Sequence, residues 1–71
     1  VKLPRDVSGR QAVRALERLG FARTRQRGSH IRLKRGKDQV TVPDHLAIAP
    51  GTLLSIVKQA GVSLDEFLQQ L

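Results

Sequence analysis

Two hydrophobic periods run along the chain, and the switch between them divides it into elements. Ala12, Ala15, Leu16 and Leu19 recur at helical spacing, with Arg10, Arg14, Glu17 and Arg18 largely on the other side, which predicts an amphipathic helix. Ser8 followed three residues later by Gln11 forms a capping box that starts this helix after a short lead, Val1 to Val7. Gly20 supplies the left-handed residue that stops it. From Phe21 to Val42 the period shortens toward two. Ile31 and Leu33 alternate with His30, Arg32 and Lys34, and Val40 and Val42 alternate with Gln39 and Thr41. The breaks at Arg27 to Ser29 and at Arg35 to Asp38 each hold a glycine suited to a tight turn, so three antiparallel strands in meander order are expected. The first of them, Phe21 to Gln26, alternates poorly.

Pro43 cannot donate to a ladder and closes the third strand, and Asp44 to Pro50 reads as a connecting loop. Pro50 opens a second helix with Leu53, Ile56 and Val57 on one face and Gly61 as its stop. Ser63 and Glu66 repeat the capping box for a short last helix carrying Leu64, Phe67, Leu68 and Leu71. The expected architecture is α+β, a two-layer α-β-β-β-α sandwich with a short extra C-terminal helix and all helices on one face of a small sheet. Its expected core is Leu16, Leu19, Phe21, Ile31, Leu33, Val40, Val42, Leu53, Ile56, Val57 and Phe67. If Ile31 and Leu33 face the helices, then His30, Arg32 and Lys34 face solvent, because successive strand side chains alternate.

Length and composition narrow this picture. A chain of 71 residues has room for one domain, 1–71, with one thin core, and without cysteine it has neither disulfides nor a thiolate metal site. No apolar run resembles a signal peptide or reaches the length that spans a bilayer, so no membrane role is expected and the cytoplasm is the expected location. The formal net charge of +7 calls for a polyanionic partner, nucleic acid before an anionic membrane surface. Arg23, Arg25, Arg27, Arg32, Lys34, Arg35 and Lys37 concentrate that charge in one short stretch. Charged side chains also keep sheet edges from aggregating, but a cluster of a single sign has no structural need.

Aromatic content and helix composition select among nucleic acids. Single-strand readers stack bases on aromatic platforms, and the only aromatic residues, Phe21 and Phe67, belong in the core. Neither main helix carries a cluster of base-reading side chains beyond Arg10, Arg14 and Arg18, which disfavours a DNA-reading helix. Contacts to backbone and shape suit RNA, with Arg27, Ser29, Arg32, Lys34, Arg35 and Lys37 as candidate RNA contacts. His30 follows Gly28 and Ser29 in the middle of this stretch, and histidine is the side chain whose proton exchanges most readily near neutrality. RNA brings its own nucleophile, the 2′-OH, so one well-placed imidazole and nearby cations suffice for cleavage without metal or small-molecule cofactor. A lone histidine on a polar strand is more often a plain phosphate donor, so a non-catalytic RNA-binding module and a basic adaptor for an acidic protein stay open on residues alone. His45 joins the chemistry only if the loop carrying it folds back toward the second strand. A two-histidine zinc site lacks further ligands.

The segments "LERLGF", "RQRGSHIRLKR", "VTVPDH" and "PGTLLSIVKQAG", in this order, resemble the HicA (YcfA-like) toxin family over nearly the whole chain. The resemblance implies a fold similar to the double-stranded RNA-binding domain and activity as a metal-independent mRNA endoribonuclease. It also implies neutralisation by a HicB-type antitoxin that covers the active face. The family's catalytic histidine falls on His30, within Gly28–His30.

Overall fold

The computed structural model describes residues 3–71, so Val1 and Lys2, the start of the lead, lie outside it. Helix α1 spans Gly9–Arg18 and begins with the expected reciprocal cap. The Gln11 N–H donates to Ser8 Oγ at 3.1 Å and the Ser8 N–H donates to Gln11 Oε1 at 2.9 Å, satisfying two of the donors every helix start leaves open. The same device opens the last helix, α3 (Leu64–Gln69), where Ser63 and Glu66 exchange bonds of 3.1 Å each. Helix α2 spans Pro50–Ala60 and ends on Gly61 in the left-handed conformation, at φ +69°.

Between α1 and α2 lie β1 (Ala22–Arg27), β2 (His30–Arg35) and β3 (Asp38–Pro43), antiparallel and in the order β1-β2-β3. Each turn is two residues long, Gly28-Ser29 and Gly36-Lys37, and the leading glycines take φ +59° and +58°. A glycine at that place is what a tight hairpin needs to match strand twist. Turns this short make Arg35 and Asp38 strand residues rather than turn residues.

Ile31, Leu33, Val40 and Val42 form the inner face of the sheet and are buried against Leu16, Leu53, Ile56 and Phe67. Each such side chain contributes about 1.5–3 kcal/mol by leaving water. All expected core residues are buried except Leu19, which packs half-exposed at the rim. The core also takes in Val7, Ala12, Val13, Ala15, Ala60 and, from the connecting loop, Ile48. With helices on one face only, the order is that of a double-stranded-RNA-binding-domain-like sandwich carrying one extra C-terminal helix.

Two features of this frame position the site. The loop after β3 is fastened at several points: Asp44 N–H donates to the Ser29 carbonyl at 2.6 Å, Gly9 N–H to the His45 carbonyl at 2.8 Å, and Ile48 N–H to the Val7 carbonyl at 2.7 Å. Gly9 allows this approach, because a Cβ there would run into the Pro43 carbonyl oxygen. The sheet edges also differ. On β3 the Thr41 N–H donates to Gln59 Oε1 of α2 at 3.3 Å, whereas all six residues of β1 are exposed.

Candidate nucleic-acid interface

Cross-strand register builds the outer face of the sheet row by row. His30 stands between Arg27 and Pro43, and the next row is Arg25, Arg32 and Thr41. Directly paired residues project to the same side, so both rows lie on the face the helices leave bare. Strand β2 shows the resulting alternation, with His30, Arg32 and Lys34 exposed and Ile31 and Leu33 buried.

An irregularity in β1 separates Arg25 from Arg23. The β1–β2 register slips between Arg23 and Arg25, leaving Thr24 as an extra residue whose hydroxyl donates to the Arg32 carbonyl at 3.2 Å. Simple alternation would put Arg23, Arg25 and Arg27 on one side. The bulge instead leaves Arg23 opposite Leu33, toward the helices, and sets Arg25 opposite Arg32.

Arg25, Arg27, His30, Arg32 and Thr41 together line an open cleft of about 390 Å³. It runs into a second cleft of about 470 Å³, which shares His30 and Thr41 and is completed by Pro43, His45, Ala47, Ile48, Ala49 and Thr52. The walls of both are free of carboxylates. The start of α2 borders the second cleft. Ala49, its N-cap, has no side-chain acceptor for the first turn, so the partly positive helix end is left open there.

Among the described residues there are two ion pairs, Arg10–Asp44 at 3.9 Å and Arg35–Asp38 at 3.8 Å, and neither touches the first cleft. Its three guanidinium groups thus stand together without an acidic partner at their side. Like charges gathered on one wall raise the local potential and attract a polyanion.

Of the residues singled out by sequence, the first cleft gathers His30, Arg27 and Arg32. Ser29 is exposed in the adjoining turn, where its carbonyl anchors Asp44. Lys34 shares the outer face but stands one row beyond, opposite Ala22 and Gln39. Lys37 sits in the far turn, about 16 Å from His30 at roughly 3.3 Å per strand residue.

Arg35 departs from expectation. As a strand residue with the parity of Ile31 and Leu33, it points to the helix side, where its guanidinium donates to the carbonyls of Leu19 at 2.8 Å and Ala60 at 3.5 Å. It also lies over the Phe21 ring, 4.7 Å from the centroid. Arg35 therefore fastens α1 and α2 to the sheet. The sequence did not single out Arg25 or Thr41 as RNA contacts: the poor alternation of β1 does not separate Arg25 from Arg23, and a strand threonine carries no distinguishing signal.

No group of three or more His, Cys, Asp or Glu side chains that could hold a metal ion exists among the described residues. None of the described helices is long and apolar enough to cross a membrane.

Fold and face together define a small cationic α+β domain that presents an exposed histidine among arginines. The family model of the HicA toxin of bacterial toxin-antitoxin systems matches residues 9–62, from the start of α1 to just beyond α2. The chain belongs to the HicA toxin family, and membership implies an antitoxin partner. A search of curated proteins gives no match.

Proposed function

We propose that this toxin is a metal-independent endoribonuclease that cleaves mRNA in the cytoplasm, residues 1–71 acting as one toxin domain. The observation that carries the reading is the exposure of His30 in a carboxylate-free cleft beside Arg25, Arg27 and Arg32. The three arginines hold the phosphates of an RNA strand, with Ser29, Lys34 and Lys37 contacting the strand further along. Arg35 is left out of this set, since its guanidinium is engaged on the helix side.

His30 takes the proton of the 2′-OH as that oxygen attacks the adjacent phosphorus. The 2′-O–P bond forms, the P–O5′ bond breaks, the departing 5′-oxygen takes up one proton, and the products are a 2′,3′-cyclic phosphate and a 5′-hydroxyl. The arginines stabilise the extra negative charge of the pentacoordinate species. A HicB-type antitoxin with an acidic surface would cover the same face and exclude RNA from it.

The test is to incubate the purified protein with mRNA in EDTA and identify the new ends. Cyclic phosphate and 5′-hydroxyl ends are expected. Ends of 3′-hydroxyl and 5′-phosphate would contradict the mechanism, because they require water rather than the 2′-oxygen as nucleophile. Salt-sensitive binding without cleavage would leave only an RNA-binding module.

A further inference from the structure

The endoribonuclease reading uses one proton-transfer group, whereas the reaction moves two protons at opposite ends of a line. In an in-line displacement the attacking 2′-oxygen and the departing 5′-oxygen lie on opposite sides of phosphorus. An imidazole placed to take a proton from the first cannot also give one to the second in the same step. A second proton-transfer group must therefore stand within reach of the same phosphate.

His45 lines a cleft together with His30. The cleft of about 470 Å³ is lined both by His30, from β2, and by His45, from the loop after β3, together with Thr41, Pro43 and Thr52. His30 pairs across the ladder with Pro43, only two residues before His45, and Cα atoms so paired are about 4.5–5.5 Å apart. The loop is held in this position by the bonds from Asp44 to Ser29 and from Gly9 to the His45 carbonyl, and by burial of Ile48. These constraints act on the backbone and on Ile48, and leave the His45 side chain exposed. His45 also borders a hollow with Ser8, Arg10, Asp44 and Leu46, so it stands on the ridge between that hollow and the cleft.

We infer that His45 is a second catalytic residue, the general acid that protonates the departing 5′-oxygen while His30 takes the 2′-proton. The inference rests on the endoribonuclease reading above. His45 gives up one proton to the 5′-oxygen and His30 gains the one from the 2′-OH, so the pair finishes the cleavage step with its protonation states exchanged and is restored by exchange with solvent. The charged groups around the pair are Arg25, Arg27 and Arg32 on the His30 side, and Arg10 and Asp44 on the His45 side.

The experiment compares the wild type with His45→Ala and His45→Gln on two substrates. One is an ordinary RNA oligonucleotide containing a mapped cleavage site. The other carries sulfur in place of the bridging 5′-oxygen at that site, and a thiolate departs without needing a proton. On the ordinary linkage both variants should be slower by roughly 10²- to 10⁴-fold, the usual worth of a general acid. On the sulfur linkage they should approach the wild-type rate, while His30→Ala should stay slow on both.

Unimpaired cleavage of the ordinary linkage by the His45 variants would overturn the inference. An equal loss on both linkages would do so too, by assigning His45 a binding or structural role, and thermal unfolding of each variant would identify a folding defect. In either case, wild-type activity and the His30→Ala loss would leave the endoribonuclease reading in place. Wild-type protein inactive on both substrates would remove the reading and the inference together.

Discussion

Arg32 and Arg35 lie three residues apart on the same strand and have opposite fates. Arg32 stands on the bare face, beside Arg25 and His30 and away from any carboxylate in the cleft wall. Arg35 lies over Phe21, donates to the carbonyls of Leu19 and Ala60, and stands 3.8 Å from Asp38. Strand parity makes the difference, since an odd number of residues separates opposite faces. Positive charge in a sequence is therefore not yet a binding surface. One arginine is available to a phosphate, and the other holds two helices onto a sheet.

The contrast is broken most severely by undoing the face on which it depends. Leu33 lies between these arginines and is fully buried, so Leu33→Ala should destabilise the fold by about 2–5 kcal/mol in chemical denaturation. Small domains carry only about 5–15 kcal/mol in total, and RNA binding should fail with the fold as temperature rises. Stability close to wild type would mean that β2 is not packed with this parity.

Arg35→Ala comes next in size. Loss of hydrogen bonds from a charged donor should cost about 1–3 kcal/mol of stability, read as a lower denaturation midpoint. The slope of log affinity for RNA against log salt should stay as in the wild type. A slope reduced by about one ion would return Arg35 to the RNA-contacting set.

Arg32→Ala should give the reverse pattern and the smallest change in folding, within about 0.5 kcal/mol. Here the salt slope should fall by about one, with affinity weakened similarly across RNA sequences, as expected for a phosphate contact. An unchanged slope would take Arg32 out of the interface.

The same residues mark how far the sequence could be read. Both capping boxes are local, requiring only Ser8 with Gln11 and Ser63 with Glu66 at a spacing of three, and both form. The exposure of His30 followed from the burial of Ile31 and Leu33 one and three residues on. Arg25 could not be told from Arg23, because an extra residue at Thr24 turns Arg23 to the helix side and bulges leave no period in the sequence. Ile48 was hidden because it is a single apolar residue in a loop, buried through a backbone bond to Val7 far away in the chain. Arg35 was misplaced for a smaller reason. With turns only two residues long, it falls under strand parity, which sends it to the helix side with Leu33.

His45 shows the limit from the other direction. Its place beside His30 depends on how the loop is fastened to α1 and to the first turn, and Gly9 makes that closeness possible by having no Cβ against Pro43. No spacing between His30 and His45 in the chain encodes it.

At the centre stands the proposal that His30 performs proton transfer on RNA held by its arginine neighbours. Its most direct test is single-turnover cleavage of an mRNA substrate in EDTA at saturating protein, comparing the wild type with His30→Ala. The variant should fold and bind RNA within a few-fold of wild type while its cleavage rate falls by roughly 10²- to 10⁴-fold. Cleavage by His30→Ala at the wild-type rate would contradict it.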